Sequence, residues 1–292
     1  APIWPEAAPD QRPVHAVTNG IHVGTWVAHR LGLVFDRYLG GDWRDQRDDA
    51  LWDRVLDIPD AELWGVRQEL RRYLLDFIRE RARQRWADER VGAGRVLAAG
   101  TLLDPNALTI GFARRFTEYK RPELIFTDPA RLGRILNAPK RPVQLVFAGK
   151  AHPADDGGKK LIQDIVRLSD DPEIRHRIVF LPNYDIAMAQ PLYPGCDVWL
   201  NNPRKPLEAS GTSGMKAALN GVPHLSIGDG WWAEGYSGDN GWLIDGGEHP
   251  DQAATDAADA DALAAGGDAE EWAGVGAGGG PAGDDAVVLC DE

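Results

Sequence analysis

Cysteine is nearly absent: Cys196 and Cys290 are the whole complement in 292 residues. Two thiols cannot build a disulfide framework or a four-ligand zinc site, which favours a reducing compartment. Long apolar runs are missing too. No stretch reaches the ~18–20 residues that a membrane helix needs, and no basic leader with an apolar core opens the sequence. A soluble cytoplasmic protein, with no membrane partner, is the expectation. Positive charge is also in deficit, with 32 Lys and Arg against 45 Asp and Glu, for a formal charge of −13. A basic patch suited to nucleic acid is therefore not expected. The deficit is local, however. From Asp251 onward there are 11 carboxylates and no Lys, Arg or His, and subtracting them from −13 leaves −2 for residues 1–250.

Three regions differ in pattern. The first, 1–94, is rich in Trp and Arg and reads as a helical segment. Between Ala61 and Trp86, the residues Leu63, Val66, Leu70, Leu74, Phe77 and Ile78 recur at helical spacing. The second, 95–248, alternates short apolar runs with amphipathic stretches. The runs Leu108–Phe112, Val143–Ala148, Ile178–Leu181, Asp197–Leu200 and His224–Ile227 are continuous rather than alternating, which predicts strands buried on both faces. Helices are expected around Arg121–Leu136, Lys159–Ser169, Ile186–Leu192 and Gly214–Asn220. The fold class is α/β, a doubly wound parallel sheet preceded by a helical region, and its ligands belong at the carboxyl ends of the strands. The third region, 249–292, is almost all Ala, Gly and Asp. It is expected to be a disordered acidic tail, because it offers too little apolar surface to offset the entropy of ordering.

Three loops carry chemistry. Gly111-Phe-Ala-Arg-Arg-Phe-Thr-Glu-Tyr-Lys-Arg121 ends a strand with Arg114, Arg115, Lys120 and Arg121 inside eight positions. Guanidinium forks and a lysine point charge suit phosphate oxygens, although a solvated basic loop would have the same composition. Glu208-Ala-Ser-Gly-Thr-Ser-Gly-Met-Lys216 follows another strand. Its turn of Ser210, Gly211, Thr212, Ser213 and Gly214 offers backbone N–H groups and hydroxyls to an anion. Glu208 can accept from sugar hydroxyls. Lys216, expected on the first turn of an otherwise apolar helix, is a candidate for a neutral amine that forms a Schiff base. A Gly/Ser turn with a snorkelling lysine is the plainer reading. Gly228-Asp-Gly-Trp-Trp-Ala-Glu-Gly-Tyr236 places paired tryptophans beside carboxylates, as carbohydrate binding requires, with core packing as the other role for one of the pair.

Together with Thr18-Asn-Gly20, Gly149-Lys-Ala151 and Asn183-Tyr184, these segments resemble the glycogen/starch/maltodextrin phosphorylases, in particular their shorter bacterial branch, over residues 14–247. The resemblance implies the Rossmann-like carboxy-terminal domain of a two-domain GT-B glycosyltransferase. It also implies reversible phosphorolysis of terminal α-1,4-linked glucose, with glucan, inorganic phosphate and glucose 1-phosphate as partners and pyridoxal 5′-phosphate as cofactor. By position, Lys216 would carry the cofactor, and Arg114, Thr212 and Ser213 would hold its phosphate, with Tyr184 lining the pocket. Arg115 and Lys120 would bind the substrate phosphate. Glu208, Ser210, Gly211, Asn19 and Tyr119 would take hydroxyls of the glucosyl unit. A homodimer is compatible with the family.

The sequence departs from the family in having Thr117 where the long-chain branch has histidine, Arg114 where a lysine is usual, and no counterpart of the family's first domain. Low turnover of the isolated chain is the expectation. Two other readings remain open. A nucleotide-sugar glycosyltransferase resembling glycogen synthase would want a glutamate at the position of Lys216, since a carboxylate suits a ribose diol and an amine suits an aldehyde. A non-catalytic carbohydrate-binding fragment is the second.

Overall fold

The computed structural model describes residues 17–46, 48–88, 102–169, 171–247 and 249–265. The expected boundary near residue 94, and residues 266–292 of the acidic tail, lie outside these.

Six parallel strands form one sheet: β1 Leu108–Arg115, β2 Val143–Lys150, β3 Ile178–Pro182, β4 Val198–Asn201, β5 His224–Ile227 and β6 Gly241–Ile244. Their spatial order is β3-β2-β1-β4-β5-β6. The five apolar runs seen in the sequence are the first five strands. β6, no shorter than β4 and β5, escapes that reading because it is set among Gly, Ser, Asn and Asp that read as loop. The order reverses between β1 and β4, which pair through Ile110 with Val198 and Gly111 with Trp199. In an open α/β sheet that reversal opens a crevice at the carboxyl ends of the two strands, the usual place for a ligand.

Helices cover both faces. The amino-terminal part supplies α1 Val23–Trp26, α2 His29–Tyr38 and the long α3 Asp60–Asp88. Then follow α4 Pro129–Leu136, α5 Asp156–Ser169, α6 Ile186–Gly195, α7 Thr212–Ala218, α8 Trp232–Gly235 and α9 Gln252–Ala265. On one face Leu74, Leu75 and Ile78 of α3 pack with Met188 and Leu192 of α6 and Ala217 of α7 over Ala113, Val146 and Trp199. On the other, Leu132 and Leu136 of α4, Ile165 of α5 and Leu263 of α9 cover Phe112, Leu145, Phe147 and Leu225. Two buried arginines fasten α3 to the end of α6 and to the start of β4. Arg67 donates to the carbonyl of Pro194 at 2.6 Å, and Arg71 Nε donates to Asp197 at 3.2 Å. Asp197 also accepts from the Thr109 backbone N–H at 2.8 Å, so one carboxylate ties helix to strand.

One expectation is corrected and one is narrowed. The stretch Arg121–Leu136 is not one helix. Arg121 takes a left-handed φ of 45°, as a residue before proline is pushed out of the right-handed helical region, and short 3₁₀ turns precede α4, which starts at Pro129 under an Asp128 cap. The acidic tail is also not structureless throughout. Residues 252–265 form α9, whose Ala260 and Leu263 are buried and whose acids meet two arginines, so apolar area alone understated what holds the helix.

Among the described residues, no helix is long and apolar enough to cross a membrane.

Candidate active site

β1 ends at the reversal point with Arg114 and Arg115, whose side chains point to opposite faces as strand pleating requires. Arg114 is buried and Arg115 exposed. Arg114 Nη1 lies 3.5 Å from Glu208 Oε2, and its Nη2 lies 3.4 Å from Ser213 Oγ. Glu208, 8% exposed, also pairs with the Lys120 ammonium. The ammonium stands 4.6 Å over the Tyr119 ring. Burial, and then the neighbouring Arg114 charge, depress the Lys120 pKa to about 8, with Glu208 pulling the other way. The first and second loops thus meet at one carboxylate.

The turn after β4 owes its shape to two glycines and one aspartate. Gly211 adopts φ +74° to cap α7, a conformation that a side chain disfavours. Gly214 packs so closely on His224 that a Cβ there would stand 2.0 Å from its ring. Asp229 spends both oxygens on backbone, accepting from Glu208 N at 2.8 Å and Gly230 N at 2.9 Å. It braces the turn rather than presenting a free carboxylate to a sugar. Trp231 N closes the brace by donating to the Ser210 carbonyl at 2.8 Å. Of the tryptophan pair, Trp232 is core, with its ring 4.8 Å from His224, while Trp231 is half-buried beside the turn.

Lys216 lies in the second turn of α7, not the first, because the helix begins at Thr212. Its ammonium sits 4.0 Å over the ring of Trp26 and 5.5 Å from that of Tyr193. Among the described residues no carboxylate pairs with it. Burial shifts its pKa down. Tyr193 links this amine to the phosphate-type donors. Its hydroxyl hydrogen-bonds that of Tyr184 at 2.7 Å, and the Arg114 charge acts on both phenols. Asn220 holds Trp26 in place by donating to the carbonyls of Trp26 and Lys216, both at 2.8 Å.

Sequence reasoning missed Trp26, Tyr193, Asn220 and His224. Trp26 follows six residues after the Thr18-Asn-Gly20 segment, which was the one available signal. Tyr193 sits in a helix with no pattern of its own. Asn19 is brought to the rim by its neighbour, since Thr18 donates to Glu234 of α8, while Asn19 itself is exposed. Thr212 and Tyr119 are half-buried at the mouth. Arg121, by contrast, turns away from the cluster toward α9.

The residues fit a phosphate-bearing aldehyde. Arg114, Arg115 and Lys120 bring three cations and Lys216 an amine, and Glu208 is the carboxylate that pairs with Arg114 and Lys120. Arg114 Nε and Ser210 Oγ are buried without a partner, so donors stand ready at the crevice. Among the described residues no anion pairs with the amine of Lys216.

The model of the carbohydrate phosphorylase family matches residues 11–234. The chain is 49% identical to the glycogen phosphorylase of Aquifex aeolicus over 254 residues, covering 87% of this chain and 36% of that protein. It is 51% identical to the glycogen phosphorylase of Mycobacterium tuberculosis strain H37Rv over 242 residues, 83% of this chain and 28% of the relative. With the maltodextrin phosphorylase of Thermococcus litoralis it shares 47% over 243 residues, 83% and 29% of the two. The chain therefore spans about a third of the length of these curated relatives. A six-stranded parallel sheet, a lysine boxed by aromatic rings at its reversal point and these matches lead to one assignment: the chain belongs to the carbohydrate phosphorylase family.

Proposed function

We propose that the chain is the cofactor- and phosphate-binding part of an α-1,4-glucan phosphorylase. The enzyme would pass a terminal glucosyl residue of glycogen, starch or maltodextrin to inorganic phosphate, giving glucose 1-phosphate with retention, in the cytoplasm. Residues 95–248 form the binding unit in this reading, and 1–94 the helical segment leading into it. The observation that carries the proposal is the Lys216 amine, half-buried between Trp26 and Tyr193 with no counter-ion among the described residues, on the same short helix as Ser213, which Arg114 contacts.

Pyridoxal 5′-phosphate, when bound, supplies a phosphate that can exchange a proton with the substrate phosphate. The protein's own work is attachment, charge and orientation. Lys216 offers the amine, and its apolar surroundings favour the neutral form that condenses with an aldehyde. Arg114, Thr212 and Ser213 hold the cofactor phosphate, backed by Tyr184. Arg115 and Lys120 hold the substrate phosphate. With a pKa of about 8, Lys120 is still mostly a cation at neutral pH, so it can offset the repulsion of two adjacent phosphates. Glu208, Ser210, Gly211, Tyr119 and Asn19 face the sugar hydroxyls.

A nucleotide-sugar reading would place a carboxylate where Lys216 stands, and no observation favours it. Incubation with pyridoxal 5′-phosphate, borohydride reduction and peptide mass spectrometry test the proposal. A pyridoxyl group on Lys216, absent from Lys216→Ala, is expected. Labelling spread over surface lysines, with Lys216 unmodified, overturns it.

A further inference from the structure

The two loops that meet at Glu208 are stitched together a second time, on the side away from the crevice. Arg121 directly follows Lys120 and is 1% exposed. Its Nε donates to the Asn202 carbonyl at 3.1 Å and its Nη2 to the Pro203 carbonyl at 2.9 Å. Asn202 returns a bond to the Arg121 carbonyl at 3.0 Å, and Arg204 N donates to the Tyr119 carbonyl at 2.7 Å. The segment bearing Tyr119 and Lys120 is thereby locked to the segment leading to Glu208.

Both arginines of this lock find their counter-charge on α9. Arg121 Nη1 lies 2.8 Å from Asp256 Oδ1 and 2.7 Å from Asp259 Oδ2, and Arg204 Nη2 lies 2.7 Å from Asp256 Oδ2. Asp259 also accepts from Gly246 N at 3.2 Å, anchoring the helix beyond β6. Burial opposes ionisation of Asp256, yet the hydrogen bonds from Arg204 and Arg121 keep its pKa below the ordinary range. Glu123 faces the same cluster, but burial raises its pKa, so it is the weaker counter-ion.

We infer that α9 is a positioning element of the substrate site, with Asp256 and Asp259 as positioning residues that set the Lys120–Glu208 pair through Arg121 and Arg204. The chemical role of that pair rests on the phosphorylase reading, while the mechanical coupling does not. A buried guanidinium stripped of its carboxylates cannot stay where it is, because an unpaired charge is strongly disfavoured in a dry interior. Arg121 must then move, and Lys120, its covalent neighbour, moves with it.

The test compares the full chain with Asp256→Asn/Asp259→Asn, with single Asp256→Asn, with Asp256→Glu as the conservative rescue, and with Asp261→Asn as an exposed control on the same helix. Two readouts are taken. The first is the Lys120 titration midpoint by lysine-selective NMR. The groups facing this ammonium are Glu208, Arg114 and Arg115, with the Tyr119 ring beneath it, and the net of burial and these charges is downward. Loosening should therefore raise the midpoint from about 8 by roughly one unit toward an ordinary lysine. The second is affinity for inorganic phosphate by calorimetry, expected to fall roughly tenfold. Asp256→Glu and Asp261→Asn should leave both readouts as in the parent. If the double variant does not fold, Asp256→Asn alone decides, because it takes from Arg121 one of its two carboxylates and from Arg204 its Asp256 partner, and a smaller rise of the Lys120 midpoint is then expected. A lower melting temperature with an unmoved Lys120 midpoint overturns the inference, leaving α9 as a stability anchor. If the parent binds no phosphate, the phosphorylase reading fails, while the Lys120 midpoint still judges the coupling.

Discussion

At the scale of single residues the site is governed by what surrounds each charge. Lys120 is pulled down by burial and Arg114 and up by Glu208. Removing the charge but not the shape of that carboxylate, in Glu208→Gln, should take the Lys120 midpoint below about 8, and NMR titration checks it. A rise would mean that Glu208 acts mainly by excluding water. His224 presents a different case. It is buried with neither ring nitrogen partnered, and burial, with a smaller push from Arg114, drives its pKa to about 3. A histidine whose folded pKa is depressed binds its proton better when unfolded. Stability is therefore unaffected by this group above the unfolded value near 6.5 and is lost as pH falls from there toward 3. The loss approaches roughly 1.4 kcal/mol per pH unit for one proton. The non-titrating His224→Gln should show a shallower acid slope than the parent in denaturant melts between pH 6.5 and 3.5, and parallel slopes would contradict that.

Among the elements, α9 shows what could and could not be read from sequence. The five short apolar runs announced β1 to β5 because strands buried on both faces need no partner information to be recognised. The Gly/Ser turn and the clustered cations were legible for the same reason, since their chemistry is local. What stayed hidden depended on contacts distant in the chain. Trp26 lies 190 residues from Lys216 and Tyr193 lies 23, and nothing near either residue names its partner. Arg121 looked like a phosphate ligand by proximity in sequence, and only its left-handed backbone turns it to Asp256 and Asp259. The same alanine richness that made α9 look incapable of packing leaves its docking imperfect. A cavity of about 70 Å³ remains between α9, α4 and the sheet, lined by Ile110, Leu136, Leu145, Leu225, Leu263 and Ala264 among others. Filling it with Ala264→Leu should raise stability by about 1 kcal/mol, seen as a higher thermal midpoint, whereas Ala257→Leu on the exposed face of α9 should gain nothing.

For the molecule as a whole, attachment of the cofactor and turnover are separable demands. In the proposed reading attachment needs an amine, its aromatic box and cations for one phosphate, and Lys216, Trp26, Tyr193 and Arg114 are the candidates for it within this chain. Turnover asks for more. In the proposed reaction two phosphates and a developing positive charge on the sugar would have to be held where water is excluded, because fixed charges act strongly only in a dry site. Here Arg115 and Asn19 are exposed at the rim. The chain also accounts for about a third of the relatives' length. The expected outcome is a pyridoxyl adduct on Lys216 after reduction, with no glucose 1-phosphate release from glycogen or maltodextrin above a heat-treated control in a coupled assay. Release that disappears in Lys216→Ala would show that this crevice suffices for chemistry and would refute the argument from water exclusion. Absence of both adduct and release would instead place the fault at Lys216 and its box.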